Sequence, residues 1–421
     1  MKKVFTPTKK KAIHILDDEL ASQGYREKIQ AQGFKVELTG AFDTTLQSLK
    51  NSAVDLVILD LCLPGINVVE LIRNIRSDSA NRSTPIIAFS NPYLSTLTHS
   101  ALEAGATKSV AKVDTTPERL LELARELGVS ASPRVVGSAV GALQANQEKP
   151  SSNLLINKSQ TLAKLRASYQ NFTRTEREDL RRTALLQMHR QLRLLPGSTK
   201  VLAPKIVQMS TVLEALLVEL YTEPAKITAS VVRTIAHSIE TLASLLDRPA
   251  NSQDEVIPPS KILVVDDEVI ARQLICSAVE KAGLSAVGLD DPLAAQQLLE
   301  RERFDLIFLD VEMPGLTGLE LCVKVRETEA NQSTPIVFVT SHSDFGCRAQ
   351  SALSGGNDFI AKPFLLIEVA LKALTWLFKD GAQLLPTASV QQSLAANSGR
   401  QKPKLATPHG GVKLPCTSPV T

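Results

Sequence analysis

The sequence predicts an α/β protein in which two doubly wound, parallel-sheet (βα)5 domains flank a central all-α bundle. Three observations predict this class: an internal repeat, short apolar runs that alternate with helical stretches inside each copy, and a segment without strand patterns between the copies. The chain has 421 residues, of which 43% are hydrophobic and 22% charged, which is ordinary for a folded protein. About two to four domains are expected at this length.

The repeat has an offset of 250 positions and organises the whole chain. Three segments recur at that offset: VDLVILDLCLPG at 54–65 as FDLIFLDVEMPG at 304–315, NRSTPIIAFS at 81–90 as NQSTPIVFVT at 331–340, and SVAK ending at Lys112 as FIAK ending at Lys362. Two copies of one domain are therefore predicted, over about 11–128 and 261–380.

Each copy reads as five strand and helix pairs. In the second copy the apolar runs rich in Val, Ile and Leu predict strands at 261–266, 284–288, 304–310, 334–340 and 357–361. Helical periodicity predicts helices at 269–282, 291–302, 317–328, 344–354 and 365–379. Sequential strands joined by helices indicate a parallel sheet.

Between and after the copies the sequence changes character. Apolar residues recur at helical spacing over 155–247, with breaks expected at Pro196-Gly197 and Pro224, which favours a helical bundle. The remaining segments are rich in small and polar residues and are predicted to be two linkers and a disordered tail, at 129–154, 248–260 and 381–421.

Composition excludes several classes of protein. The net charge of +3 comes from 47 basic and 44 acidic residues mixed along the chain, so nucleic acid is not indicated as the main partner. Five cysteines without a C-x-x-C pair indicate neither a disulfide framework nor a zinc site. No signal peptide and no membrane span are predicted, and a cytoplasmic location is expected.

Carboxylates follow corresponding strands of both copies. An acidic pair comes after the first strand and a single aspartate ends the third: Asp17, Asp18 and Asp60 in the first copy, and Asp266, Asp267 and Asp310 in the second. Because the carboxyl ends of neighbouring parallel strands face one crevice, three carboxylates are expected to converge. A cation must then offset their repulsion, and all-oxygen ligands suit Mg²⁺ better than zinc.

A hydroxyl and a lysine complete each cluster. The fourth strand ends in Ser90 or Thr340, and the fifth in Lys112 or Lys362. The hydroxyl lies 30 positions after the single aspartate and the lysine 22 positions after the hydroxyl, in both copies. A hydroxyl donor, an ammonium and a divalent cation together would neutralise the oxygens of a phosphoryl group in transfer.

These residues resemble the receiver domain of two-component response regulators, which has a flavodoxin-like fold. The resemblance implies that Asp310 accepts a phosphoryl group, and that Thr340 and Lys362 hold its oxygens. It implies that Asp267, Asp310 and the carbonyl of Glu312 bind Mg²⁺, and that Asp266 helps through water. The corresponding residues of the first copy are the phosphoacceptor Asp60, the metal ligands Asp17, Asp18 and the carbonyl of Cys62, and the phosphoryl-stabilising Ser90 and Lys112.

The second copy matches the family more fully than the first. It keeps the Lys362-Pro363 step and has Phe359 at the position of the switch aromatic residue. The first copy has Val113 and Ser109 at those two positions. Two alternatives remain for it: a phosphoacceptor without the ordinary output, or a receiver-shaped docking domain that no longer switches.

His189 is the candidate for phosphotransfer in the bundle, which weakly resembles a histidine-phosphotransfer domain. That family has His-x-Leu-x-Gly, whereas this chain has HRQLR at 189–193, with the leucine one place late and no glycine. A surface histidine on a structural helix is therefore the favoured interpretation.

The leading hypothesis is a non-enzymatic response regulator that takes phosphoryl groups from a histidine kinase or phosphotransfer protein. With no output motif after residue 380, it would signal through a downstream protein partner or through the bundle. The alternative is a non-switching scaffold. A Mg²⁺-dependent phosphatase would need a second acid two places after the nucleophile, which Glu312 supplies and Cys62 does not.

Overall fold

The computed structural model describes residues 11–17, 22–51, 54–129, 152–197, 204–248, 259–341 and 354–379. Its described part contains two parallel five-stranded sheets with a helical region between them in sequence. The predicted α/β class with flavodoxin-like sheets is confirmed. The predicted tail lies outside the described residues, as do most of the two predicted linkers.

The first copy forms one sheet in the order β2-β1-β3-β4-β5. Its strands are β1 (Ala12–Leu16), β2 (Lys35–Thr39), β3 (Leu56–Asp60), β4 (Ile86–Ser90) and β5 (Lys108–Ala111). Its helices are α1 (Gln23–Ala31), α2 (Phe42–Asn51), α3 (Val68–Ser77), α4 (Ser95–Glu103) and α5 (Pro117–Glu126). The central strand β3 is buried along its whole length, because helices cover both faces of the sheet.

The second copy repeats this sheet order, written from the opposite edge as β10-β9-β8-β6-β7. Its strands are β6 (Lys261–Val265), β7 (Ser285–Leu289), β8 (Leu306–Asp310), β9 (Ile336–Thr340) and β10 (Asp358–Ala361). The described helices are α10 (Val269–Lys281), α11 (Pro292–Arg301), α12 (Gly318–Glu327) and α13 (Leu366–Phe378). The predicted helix at 344–354 lies, except for its last residue, outside the described residues.

Four helices form the central bundle, as the apolar periodicity predicts. They are α6 (Ser152–Arg174), α7 (Glu178–Gly197), α8 (Pro204–Thr222) and α9 (Ala229–Asp247). The breaks fall where the sequence places them, since α7 ends at Gly197 and a 3-10 turn occupies Pro224–Lys226. Thr228 caps the last helix by accepting a hydrogen bond from the amide of Val231.

The bundle packs against both sheet domains. Helix α13 contacts α8, α9 and α10, and all but a few of its residues are buried. A single apolar cluster includes bundle leucines together with Cys62 and Leu94 of the first copy and Ile275 and Leu371 of the second. No helix in the described part of the chain is long and apolar enough to cross a membrane.

Candidate functional site

The carboxylates of the second copy meet at the carboxyl edge of its sheet. Asp310 ends β8, and Asp266 and Asp267 follow β6, the strand paired with it. One oxygen from each side chain lies within 4.8 Å of the others. Asp266 and Asp310 are buried, whereas Asp267 is exposed. The cluster therefore offers hard oxygen ligands to a cation that approaches from solvent.

The neighbouring strands place a lysine and a hydroxyl beside this cluster. The Lys362 ammonium lies 3.0 Å from Oδ1 of Asp310 and 3.0 Å from Oδ2 of Asp266. The backbone amide of Glu312 donates to Oδ2 of Asp310 at 3.0 Å. Thr340, at the end of β9, is 2% exposed, and its carbonyl accepts from the Lys362 amide at 2.7 Å. The peptide bond between Lys362 and Pro363 is cis.

The described side chains of this pocket carry more negative than positive charge. Burial raises the pKa of Asp310 to about 6; the negative charge of Asp266 acts in the same direction, and Lys362 opposes it. Burial also raises the pKa of Asp266. One ammonium thus faces three carboxylates, and a divalent cation would relieve the remaining repulsion. The donor set fits Mg²⁺.

The first copy builds the same frame from its own residues. Asp60 ends β3, and Asp17 follows the paired strand β1. The Lys112 ammonium contacts Oδ2 of Asp17 at 2.7 Å and Oδ2 of Asp60 at 2.6 Å. The Cys62 amide donates to Oδ1 of Asp60 at 2.7 Å, as the Glu312 amide does to Asp310.

Two other residues, Ser90 and Asp18, were predicted to lie in the first pocket. Ser90 ends β4 and is partly buried. Asp18 lies outside the described residues. Of the side chains predicted for the first pocket, the structure brings Asp17, Asp60 and Lys112 together.

A guanidinium from the bundle enters the first pocket. Nη2 of Arg193, on α7, donates to Oδ1 of Asp17 at 2.6 Å and also to Oδ2 of Asp60. The three side chains are 5%, 1% and 1% exposed. Burial alone would raise the pKa of Asp60, but the positive charges of Arg193 and Lys112 hold it well below its ordinary value. Two carboxylates are here neutralised by two cations.

The described oxygens of the first pocket do not fit a Mg²⁺ ion in this arrangement. The lysine and backbone contacts of Asp17 and Asp60 have counterparts in the second pocket, but here the Arg193 guanidinium in addition contacts one oxygen of each carboxylate, where a shared ion would bind. Mg²⁺ requires short bonds to oxygens in a near-octahedral arrangement. A metal ion could take its place here only after the guanidinium had left.

The favoured interpretation of His189 as a surface histidine is wrong, because its face of α7 packs against α8. The residue is 2% exposed, and Nε2 lies 3.3 Å from Oε1 of Glu214. The same carboxylate oxygen lies 3.4 Å from Nε of Arg193. His189 and Arg193 are one helical turn apart, so Glu214 spans both. Phosphotransfer by His189 stays a prediction.

Arg193 and Glu214 are functional candidates that the sequence analysis missed. The apolar stripe of α7 contains Leu185, Met188 and Leu192, all buried. Arg193 lies beside that stripe, where an arginine is normally exposed unless it has a charged partner. A charged residue next to the buried face of a helix was thus the available signal.

The rim of the first pocket is adapted to the bundle. Cys62 and Leu94 belong to the apolar cluster that contains the bundle leucines, and the Asn91 amide donates to the carbonyl of Thr211 on α8 at 2.8 Å. Gly65 has a φ of +82°, and a β-carbon there would lie 2.9 Å from the Tyr221 hydroxyl. The loops around the pocket therefore form an interface with α8.

Helix α9 covers the strand that carries the predicted switch residue. Phe359, on β10, is 5% exposed, and the Arg233 guanidinium lies 4.7 Å from the centre of its ring. The Ser230 hydroxyl donates to the Phe359 carbonyl at 3.0 Å. Any movement of Phe359 would therefore change its contacts with Arg233 and Ser230 on α9.

Buried polar contacts also join α9 to α13. The Thr234 hydroxyl donates to Glu368 at 3.2 Å, and Ser238 and Thr375 share a hydrogen bond of 3.3 Å. The Ser230 hydroxyl also contacts a side-chain oxygen of Glu368. Deeper in the contact, Lys372 and Asp358 form an ion pair at 2.7 Å, with each side chain 1% exposed. The contact is polar and specific as well as apolar.

Comparisons with known proteins agree with this architecture. The family model described as "Response regulator receiver domain" matches residues 13–125 and 262–373. The chain is similar to the uncharacterized transcriptional regulatory protein YrkP of Bacillus subtilis, with 32% identity over 28% of this chain and 49% of that protein. It is 35% identical to the transcriptional regulatory protein ResD of the same species, over 27% of this chain and 46% of ResD. The chain thus spans about half the length of these relatives.

Solved structures give matches of similar extent. The chemotaxis protein CheY4 of Vibrio cholerae is 30% identical and covers 28% of this chain and 99% of its own, with a TM-score of 0.27. The receiver domain of the sensor histidine kinase PA1611 of Pseudomonas aeruginosa PAO1 is 27% identical, over 29% of this chain and 100% of its own, with a TM-score of 0.28. That structure is described with a magnesium ion in its active-site cleft.

Proposed function

Because the chain belongs to the response regulator receiver family, we propose that it is a two-component response regulator that accepts a phosphoryl group on Asp310 in the presence of Mg²⁺. The first and second copies are hence its first and second receivers. Receiver domains take phosphoryl groups from histidine kinases, and we expect the same class of donor here. The observation that carries the proposal is the cluster of Asp266, Asp267 and Asp310, with oxygens within 4.8 Å of one another.

The chemistry proposed is transfer to a carboxylate. An oxygen of Asp310 attacks the phosphorus of a phosphohistidine, the phosphorus–nitrogen bond breaks, and its electron pair remains on the imidazole. A bound Mg²⁺ would neutralise charge on the phosphoryl oxygens. Lys362, which already lies 3.0 Å from Asp310, would contact the transferred group, and Thr340 would donate to it from the adjacent strand.

The proposed output of the second receiver is the central bundle. Helix α9 lies over Phe359 through Arg233 and Ser230, so a change in the position of this ring would alter contacts of α9 directly. A dianionic phosphoryl group on Asp310 adds charge close to β9 and β10. We expect this charge to bias the contact between α9 and α13.

An apolar surface beside the second pocket is suited to a phosphodonor. Val269, Ile270 and Leu274 lie in the first two turns of α10, directly after the acidic pair, and are 52%, 66% and 40% exposed. Apolar side chains clustered next to a polar site are typical of a protein-binding surface. We propose that a helix of the histidine kinase or phosphotransfer protein packs here.

Phosphorylation of the full chain tests the proposal. The protein is incubated with Mg²⁺ and acetyl phosphate, and its intact mass is measured. We expect one phosphoryl adduct in the wild type and in Asp60→Asn, and none in Asp310→Asn. The adduct should be labile to base, as expected for an acyl phosphate.

The alternative function is a non-switching scaffold. If no adduct forms in any variant, with the Asp310→Asn chain folded as judged by circular dichroism, the scaffold replaces the regulator. The expectation that nucleic acid is not a partner stays a prediction, since the relatives named above are transcriptional regulators matched over about half of their length. The cytoplasmic location also stays a prediction.

A further inference from the structure

We propose that the acidic pocket of the first receiver is an interaction surface for the chain's own helix α7, and that its ligand is the Arg193 guanidinium in place of a divalent cation. While α7 is docked, Asp60 is withheld from metal binding and from phosphorylation. The first receiver then serves as a docking site that holds the bundle through α7. This inference concerns Asp60 alone and does not depend on phosphorylation of Asp310.

The hydrogen bonds of Asp60 are the first observation behind this proposal. Its Oδ1 accepts from the Cys62 amide, and its Oδ2 accepts from both Lys112 and Arg193. Lys112 and the Cys62 amide have counterparts at Asp310, so the feature particular to Asp60 is the Arg193 guanidinium, which would have to leave before a Mg²⁺ ion or a phosphodonor could approach. The same guanidinium nitrogen bridges to Asp17 at 2.6 Å, where a shared metal ion would bridge the two carboxylates.

The burial of Arg193 is the second observation behind this proposal. Arg193 is 5% exposed and also faces Glu214, so its positive charge lies among three carboxylates. A guanidinium is costly to bury without such partners, and its planar fork suits carboxylate pairs. The first pocket is therefore a specific binding site for the Arg193 side chain. Carboxylates offset its charge, and the loops on both sides of the pocket pack on α8.

The second receiver supplies an internal comparison. In the described part of the chain no arginine forms an ion pair with Asp266 or Asp310, and Lys362 is the cation beside them. At the rim, Glu312 is exposed, whereas its counterpart Cys62 is 3% exposed against the bundle. Among the described residues, a bundle helix thus closes the first pocket, whereas Asp267 and Glu312 of the second are exposed.

The sequence differences between the receivers agree with these roles. Cys62, Tyr93 and Leu94 stand where the second receiver has the polar residues Glu312, Ser343 and Asp344. Leu94 and Cys62 are buried in the shared cluster, and Tyr93 packs against it. Three positions that are polar in the sequence of the second receiver thus hold residues that pack on the bundle in the first.

Labelling in an Asp310→Asn background tests the proposal, because the second receiver is then silent. The full chain carrying Asp310→Asn, with and without Arg193→Ala, is incubated with Mg²⁺ and acetyl phosphate, and phosphoryl incorporation is followed by intact mass. We expect labelling at least about tenfold faster without Arg193. The added adduct should vanish when Asp60→Asn is combined with Arg193→Ala.

Matched variants separate the guanidinium from general effects on the helix. Arg190→Ala removes an exposed arginine from the same helix and should leave labelling at the Asp310→Asn level. Arg193→Lys keeps the charge without the planar fork and should label at an intermediate rate. Circular dichroism melts establish that each variant is folded at the temperature of the assay.

Metal binding gives a second readout that does not require phosphoryl transfer. In an Asp267→Asn background, Mn²⁺ is titrated and the free ion is followed by electron paramagnetic resonance. We expect one additional site per chain when Arg193→Ala is introduced. Equal labelling and equal Mn²⁺ binding with and without Arg193, including none in either, would overturn the proposal.

Discussion

Asp60 and Asp310 occupy the same place in the same fold, yet their surroundings shift their pKa values in opposite directions. Burial acts on both carboxyls. Around Asp60 the charges of Arg193 and Lys112 outweigh it and lower the pKa, whereas around Asp310 burial and Asp266 prevail and raise the pKa to about 6. Arg193, on another element of the chain, is the largest charge that lowers the pKa of Asp60, and no arginine of the described residues pairs with Asp310.

Asp60→Asn is expected to destabilise the chain by about 3 kcal/mol, because Arg193 and Lys112 would lose a buried negative partner. Urea denaturation at pH 7 measures the change. Glu240→Gln is the matched control, since its ion pair with Arg166 is 2.7 Å long but exposed, and should cost about 1 kcal/mol or less. A variant as stable as the wild type would argue against the ion cluster.

Asp310→Asn is expected to change the free energy of unfolding in the opposite direction. It should stabilise the metal-free chain by about 1 kcal/mol at pH 7. The folded pKa, about 6, lies above the ordinary value of 3.8, so the folded chain binds more protons between these values. Stability from this group is therefore lost as pH rises through that window.

Denaturation of wild type and Asp310→Asn from pH 4 to 7 without Mg²⁺ checks the sign. The difference between them should grow as pH increases. A difference that shrinks towards pH 7 would mean that Asp310 is stabilised as a carboxylate.

At the scale of elements, the contact between α9 and α13 joins the bundle to the second receiver. Its polar residues repeat at one helical turn on α9, at Ser230, Thr234 and Ser238. Ser230 and Thr234 face Glu368, whose pKa is raised by burial, and Ser238 faces Thr375. Such a seam allows few alternative registers, because each buried polar group needs its partner.

Lys372→Met is expected to destabilise the chain by about 3 kcal/mol, since it leaves Asp358 buried without its closest cation. Lys324→Met is the control: this lysine is exposed on α12, and its loss should change stability by about 0.5 kcal/mol or less. Thermal or urea denaturation measures both. Equal effects of the two variants would contradict the buried ion pair.

The sequence predicted elements better than contacts between them. Strand β8 was expected at 304–310 and occupies Leu306–Asp310, because its apolar run and terminal aspartate mark both ends. The cluster of Asp266 and Asp310 followed from the parallel sheet alone. Arg193 could not be placed in the same way, because its partners lie 133 and 176 positions earlier and no local pattern joins them.

At the scale of the whole molecule, the second receiver depends on the bundle. Helix α13 is buried on one side by its own sheet and on the other by α8 and α9. Chain segments of this kind do not form a soluble surface when their cover is removed. The second receiver is thus built as part of a larger core.

A chain of residues 259–380 alone is therefore expected to aggregate or to bind a hydrophobic dye, whereas residues 1–380, which keep the bundle and its cover by the first receiver, should remain monomeric. Size-exclusion chromatography with light scattering compares the two. A monomeric, dye-silent 259–380 chain would show that α13 needs no cover from the bundle.

The contact of Arg193 with Asp60 also has a consequence in time. The two residues are 133 positions apart in sequence. At about 5–20 residues per second, synthesis of that stretch takes roughly ten seconds. In the later part of this interval, after Ala111 has been added, all the strands of the first sheet have been made and the arginine has not. Newly synthesised chains are therefore the population in which the carboxylates of the first sheet meet cellular cations before they meet the rest of their own protein.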